Sequence, residues 1–169
     1  PLTGAAASYG KSVTQGVELG CKDFSTKELP LVSKAEDDQA DGEKAVNAFN
    51  TLLDWGMQVL VGPTTTTPSI AVSAEANKDR IFMLTPSASA VKVTEGKDNV
   101  YQICYNDPNQ GSASARYMSE HIPGAKVAVI YDNASAYSTG IYQTFEAKAK
   151  ELGVEVVSVT TCTEDTKDY

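Results

Sequence analysis

Histidine occurs once in this sequence, at His121, and cysteine three times, at Cys21, Cys104 and Cys162. One imidazole leaves a His-based metal cluster or a Ser-His-Asp triad without its parts, so no metal site is expected. The cysteines stand far apart, none falls in a Cys-x-x-Cys pair, and an odd number cannot all pair internally. They read as small buried apolar residues rather than as a redox site. No stretch approaches the roughly 20 apolar residues of a membrane helix, so the chain is not itself expected to span a membrane. Basic residues are outnumbered, 14 Lys and Arg against 22 Asp and Glu, for a formal net charge of −8. Such a charge repels phosphate backbones, and nucleic acid is not an expected partner. The acidity is spread along the chain, which suits solubility. No signal peptide is visible, and the chain opens at Pro1 without an initiator Met, so its start reads as processed or trimmed.

The sequence is equally short of catalytic motifs. It has no Gly-x-Ser-x-Gly elbow. The loop Gly62-Pro63-Thr64-Thr65-Thr66-Thr67 lacks the Lys and second Gly of a P-loop, and no Gly-x-Gly-x-x-Gly follows a strand. Asp37 and Asp38 could be a carboxylate pair, but their place in a turn before a helix suits solvated capping residues. No cofactor is expected.

What is present is a repeated strand–helix pattern in a chain that is 41% hydrophobic, enough to bury a core. Ser8 to Phe24 carries Val13, Val17, Cys21 and Phe24 at helical spacing, and Gly16 and Gly20 would allow close packing on a sheet. Leu29 to Ala35 reads as a short strand. Asp41 caps a helix bearing Val46, Phe49, Leu52 and Leu53, which Gly56 ends. Met57 to Val61 reads as a buried parallel strand, Gly62 to Pro68 as a loop, and Ser69 to Asn77 as a helix. Ile81 to Leu84 is the next strand, followed by Thr85-Pro86-Ser87-Ala88-Ser89-Ala90, and Asn99 to Tyr105 is extended. A helix runs from Asp107 to about His121, a strand from Lys126 to Tyr131, and a polar loop holding Tyr137 from Asp132 to Thr139. A further helix with Ile141, Phe145, Ala149 and Leu152 and a strand from Val154 to Thr160 follow. This alternation predicts an α/β fold of parallel βαβ units. The pattern begins as if a first strand were missing and stops just after a strand.

In open α/β sheets ligands bind beyond the carboxyl ends of the strands. Those positions are Thr3 to Tyr9, Gly62 to Thr67, Thr85 to Ala90 and Asp132 to Tyr137. Hydroxyls beside helix N-termini form a neutral donor site suited to a carboxylate, without supplying a nucleophile. Each feature has a plainer alternative. The threonine run could cap a helix, Ser87 and Ser89 could form an ordinary turn, and Tyr9 and Tyr137 could be packing tyrosines. The functional reading rests on all four falling on one edge of the predicted sheet.

Motifs in order along the chain carry a resemblance. They are Pro1-Leu2-Thr3-Gly4 with Tyr9-Gly10, Asp37-Asp38 with Asp41, Val61-Gly62-Pro63, and Leu84-Thr85-Pro86-Ser87-Ala88-Ser89. Gln110-Gly111, Tyr131-Asp132 with Tyr137, and Asp165-Thr166-Lys167-Asp168-Tyr169 complete the set. The chain resembles the type I extracytoplasmic solute-binding proteins, in particular the Leu/Ile/Val-binding branch that serves ABC importers. The resemblance implies two Rossmann-like lobes, residues 1–104 and 105–169, closing on a ligand held in a cleft. It implies that the loops after Gly-Pro and Thr-Pro hold the α-carboxylate and α-ammonium of a small, aliphatic amino acid. By position, Thr66 and Ser89 would supply hydroxyls and N–H groups, Ala88 would line the site, and Ser87 would offer its carbonyl. Thr65 is a weaker candidate, Tyr9 matches a first-loop tyrosine, and Tyr137 matches an aromatic that covers the ligand. The implied partner is an ABC membrane permease. The implied location is extracytoplasmic, in a periplasm or as a surface lipoprotein of a Gram-positive bacterium. Members of the family are about twice as long, so the resemblance implies a chain lacking its first strand and second half. The missing half would include the acidic residue that pairs with the ligand ammonium, so this chain alone is expected to bind poorly.

Other readings share the fold. A receptor's ligand-sensing domain would be told apart by flanking regions. An amide or ester hydrolase is opposed by the placement of His121 away from the strand-end loops. A lac-repressor-like regulator would carry a basic helix-turn-helix upstream.

Overall fold

The computed structural model describes residues 1–163 and Thr166. Helix and strand alternate, and every strand pairing among the described residues is parallel, as the pattern predicts. Helix α1 spans Ala7–Phe24 and α2 spans Gly42–Trp55. Asp41 caps α2 by accepting from the Lys44 N–H at 2.9 Å, and Gly56 ends it at φ +99°, where a side chain would be strained. Strands β1 (Val59–Val61), β2 (Phe82–Thr85) and β3 (Val100–Gln102) form one sheet in that order. Helix α3 (Thr66–Lys78) joins the first two, and a 3-10 turn at Val91–Val93 precedes the third. Further along come α4 (Asp107–His121), β4 (Lys126–Asp132), α5 (Ala136–Leu152) and β5 (Glu155–Cys162), with β4 beside β5.

The chain divides into two units. One holds Pro1–Ala88 and Lys92–Cys104, the other Ser89–Val91 and the residues from Tyr105 on. In the first, Phe49, Val72, Ala76, Met83, Val93 and Val100 are buried. In the second, Ala115, Phe145 and Ala149 are buried, with Val127, Val129 and Val156 of the strands and Val154 just before β5 packed on them. There α4 and α5 lie unusually close. A Cβ on Gly111 would sit 2.5 Å from the Ile141 carbonyl oxygen and 2.7 Å from the Phe145 nitrogen, so only glycine fits.

Several local expectations are corrected. Leu29–Ala35 is not a strand. An extended segment becomes one only with a partner about 4.8 Å away. Pro30–Glu36 and Met57–Pro63 both line a recess of about 560 Å³, and among the described residues no ladder joins the segment to β1. Val13, Val17 and Cys21 of α1 and Phe49 and Leu52 of α2 also line that recess. Gly16 and Gly20 pack against nothing, since a Cβ at either would meet no atom within 4 Å. The close glycine of α1 is Gly10, where a Cβ would strike the Pro1 carbonyl.

Asp37 and Asp38 do cap the turn, accepting the Gln39 N–H at 3.0 Å and the Ala40 N–H at 2.9 Å, but they are not simply solvated. Asp38 is buried, with the Pro1 nitrogen 2.9 Å away. Asp37 accepts from the Leu2 N–H at 2.6 Å and the Thr3 hydroxyl at 2.5 Å, which holds its carboxyl far below the ordinary aspartate range. None of the three cysteines is in a disulfide, and each is half-buried rather than buried. The Asp165–Tyr169 segment, Thr166 apart, lies outside the described residues.

Candidate functional site

The site begins where β1 and β2 end side by side. Val61 pairs with Leu84, and the Gly62 N–H donates to the Leu84 carbonyl at 2.9 Å, so the two following loops leave the sheet together. After the cis Gly62–Pro63 peptide the chain enters α3 at Thr66, earlier than the expected start at Ser69. Thr66 and Thr67 are helical, and Pro68 is the third helical residue. Proline is tolerated in a first turn because its missing N–H has no intrahelical acceptor there.

The same geometry decides what the threonines do. Thr65 is the cap residue of α3, yet its side chain makes no capping bond, and its hydroxyl oxygen is buried without a partner. The capping alternative therefore fails for Thr65. Thr66 is 6% exposed. The N–H groups of Thr66 and Thr67 open a helix of 13 residues and have no carbonyl one turn back to bond. An orphaned hydroxyl and unpaired N–H groups at the positive end of a helix form an anion-receptive corner.

Thr85, the last residue of β2, braces the two loops. Its hydroxyl donates to the Pro63 carbonyl at 2.7 Å and accepts the Ala88 N–H at 3.1 Å. Ser69 donates to the same Pro63 carbonyl at 2.9 Å. Both side chains are fully buried. Sequence reading passed over them; the available signal was a hydroxyl at the end of an apolar strand, facing a Pro-bearing loop. Ser87 is exposed and Ala88 buried, and their carbonyls accept from the Cys104 thiol at 3.3 and 3.4 Å.

Ser89 belongs to the second unit. Its hydroxyl donates to Asp107 Oδ1 at 2.6 Å, and its carbonyl accepts the Asp107 N–H at 3.0 Å. Burial pushes the Asp107 carboxyl above the ordinary aspartate value, and the Ser89 bond offsets part of that. Tyr137 is not in a loop. Ser135 caps α5 by accepting from the Ser138 N–H at 3.3 Å, which puts Tyr137 in the first helical turn. It is half-exposed, and its hydroxyl accepts from Gln110 Nε2 at 3.3 Å. Tyr9 lies on α1, well exposed. The structure thus joins Thr65, Thr66, Ser87 and Ala88 through Thr85 in one unit, and places Ser89 and Tyr137 in the other, with Tyr9 apart on its helix. None of the predicted site residues lines the apolar recess beside α1. Among the described residues no group of acidic, His or Cys side chains could hold a metal ion, and no helix is long and apolar enough to cross a membrane.

Two strand-end loops thus leave a parallel α/β sheet together beside the open N-terminus of α3. The chain belongs to the periplasmic binding protein family, whose pattern matches residues 1–169. It is 31% identical to "Leu/Ile/Val-binding protein homolog 3" of Brucella melitensis, over all of this chain and 47% of that protein. It is 30% identical to a Leu/Ile/Val-binding protein of Rhizobium johnstonii, again over all of this chain and 47% of the relative. Among solved structures, the branched-chain amino acid transporter substrate-binding protein LivJ of Streptococcus pneumoniae, in complex with isoleucine, superposes with a TM-score of 0.90 at 25% identity. That match covers 99% of this chain and 49% of LivJ. The leucine-binding protein LivK of Thermotoga maritima gives a TM-score of 0.90 at 26% identity, covering 99% and 48%. The fold is that of the type I periplasmic binding proteins, and the chain spans about half the length of the relatives it matches.

Proposed function

We propose that this chain is part of the substrate-binding component of an ABC importer and that its ligand is a branched-chain aliphatic amino acid. The observation that carries the reading is the pairing of the two loops after β1 and β2 through Thr85, beside the open N-terminus of α3. In this reading the Thr66 and Thr67 N–H groups and the Thr65 and Thr66 hydroxyls receive the ligand carboxylate. The Ser87 carbonyl keeps a lone pair for the ammonium, since a carbonyl has two and Cys104 uses one. Tyr137 and Tyr9 contribute aromatic surface against the ligand, and Ala88 keeps the loop narrow. Residues 1–104, apart from Ser89–Val91, serve as one lobe and 105–169 with Ser89–Val91 as part of the other, and the protein acts outside the cytoplasm, delivering ligand to a membrane permease. It binds without turnover.

The names of the relatives support the ligand class, and the donor-rich, acceptor-poor first loop supports an anionic group at α3. Titration calorimetry of the intact protein against the 20 amino acids tests the reading. Saturable binding of leucine, isoleucine or valine, with little response to acidic and basic amino acids, is expected. Absence of binding to all three would overturn it.

A further inference from the structure

We propose that Cys104 is a positioning residue: its thiol, with its backbone steadied by Gln102, fixes the peptide between Ser87 and Ala88 and so sets the direction in which the Ser87 carbonyl meets a ligand. The need for such a residue follows from where the ladder ends. Strand β2 pairs with β3 as far as Thr85 and Gln102, and the Ile103 N–H donates to the Thr85 carbonyl at 3.2 Å. Pro86 then turns the chain and carries no N–H. Past that point no strand pairing orients the carbonyls of the loop.

Side chains take over there. The Cys104 thiol lies 3.3 Å from the Ser87 carbonyl and 3.4 Å from that of Ala88, one S–H between two acceptors. The Ala88 N–H, at the other end of the same peptide, is held by the Thr85 hydroxyl at 3.1 Å. A peptide is planar, so pinning both its oxygen and its N–H fixes the plane. The longer carbon–sulfur bond lets one side chain serve both carbonyls, where a serine hydroxyl would serve one. Gln102 Nε2 donates to the Cys104 carbonyl at 3.3 Å and ties that residue down. The amide comes at a cost, since Gln102 Oε1 is buried without a partner, and an apolar side chain there would avoid it. Gln102, Cys104, Ser87 and Ala88 all belong to the first unit, so the network is complete within it.

This inference rests on the amino-acid reading above, and its test separates the two. The probes are L-leucine and 4-methyl-2-oxopentanoate, which keeps the carboxylate and side chain but has no ammonium for the Ser87 carbonyl. The quantity read is the ratio of the keto acid's Kd to that of leucine in the intact protein, beside the urea midpoint. Cys104→Ala should lower the ratio about three- to tenfold while changing keto acid affinity by less than about twofold. Cys104→Ser, which keeps one donor, should fall between alanine and wild type. Gln102→Met removes the unpartnered oxygen together with the donor, so the ratio should fall while the urea midpoint holds or rises. In a Cys104→Ala background, Gln102→Met should change the ratio no further. Equal losses for both probes in Cys104→Ala, or a lowered midpoint with an unchanged ratio, would mean a merely structural contact and would overturn the proposal. If Cys104→Ala fails to fold, Gln102→Met decides: an unchanged ratio overturns the proposal, and a selective loss for leucine supports it. A wild-type protein that binds leucine, isoleucine and valine not at all overturns the ligand reading and this inference with it. Leucine binding with ratios indifferent to both variants overturns this inference alone.

Discussion

Replacing Thr85 by valine keeps the shape of a fully buried side chain and deletes only the hydroxyl that joins the two loops. The cost can be worked bond by bond. The Pro63 carbonyl loses the 2.7 Å Thr85 donor but keeps Ser69 at 2.9 Å, so it stays satisfied. The Ala88 N–H loses its acceptor and is left buried, which costs about 1–3 kcal/mol. No cavity opens, because the methyl replaces the hydroxyl almost volume for volume. Domains of 60–100 residues lose about 4–8 °C per kcal/mol, so the first unit should melt about 5–15 °C lower. Thr85→Ser keeps the oxygen, loses one methyl, and should cost only about 1 kcal/mol.

Urea denaturation is the assay, with a lower midpoint and an unchanged slope expected for Thr85→Val. Ser69→Ala alone leaves Thr85 on the Pro63 carbonyl and should be mild. The double variant strips that carbonyl of both side-chain donors, so its loss should exceed the sum of the singles by about 1 kcal/mol. A Thr85→Val protein as stable as wild type, or strict additivity in the double variant, would refute the brace.

Thr66→Ala in the intact protein should weaken amino-acid binding by about 1–3 kcal/mol, read by calorimetry; an unchanged Kd would make that hydroxyl a bystander. Gly111→Ala forces a Cβ to 2.5 Å from the Ile141 carbonyl oxygen on α5 and should destabilise by about 3 kcal/mol, whereas Gly16→Ala, with open space around it, should stabilise by about 0.5–1 kcal/mol. Urea midpoints of the two variants moving the same way would contradict this reading of the packing. Asp107 binds its proton more tightly folded than unfolded. The folded state therefore holds more protons as pH rises from the ordinary value of 3.8, and the Asp107 contribution to stability falls through that window. Asp107→Asn should thus gain on wild type as pH rises above the ordinary value of 3.8, and a difference flat in pH would show that the carboxyl is not shifted.

The parallel α/β class was legible because apolar runs such as Met57–Val61 and Lys126–Tyr131 alternate with helical spacing; burial was less so, since the expected buried strand is β1 with only Leu60 buried and Val59 and Val61 exposed. Strand status at Leu29–Ala35 was not, because strand propensity says nothing about whether a neighbour stands at ladder distance, and among the described residues no ladder includes this segment. The start of α3 was misread for the opposite reason. A Pro inside a threonine run looks like a loop, but first-turn geometry accepts it, and the shift moves Thr66 from loop to helix N-terminus. That shift changes the chemistry, since a residue in the first turn presents a backbone N–H as well as a hydroxyl. The same logic holds for Gln110-Gly111. As letters they were a family motif. In the fold, Gly111 lets α5 approach α4, and Gln110 meets the Tyr137 hydroxyl at 3.3 Å.

Asp107 shows where sequence reading stops. Asp-Pro before a helix reads as an N-terminal signal, and Asp107 does open α4. Nothing in the spacing of 18 residues says that it faces Ser89, yet the Ser89 hydroxyl donates to its carboxylate at 2.6 Å. A candidate binding residue can be found by its hydroxyl. The partner that holds its proton is visible only once the chain is folded.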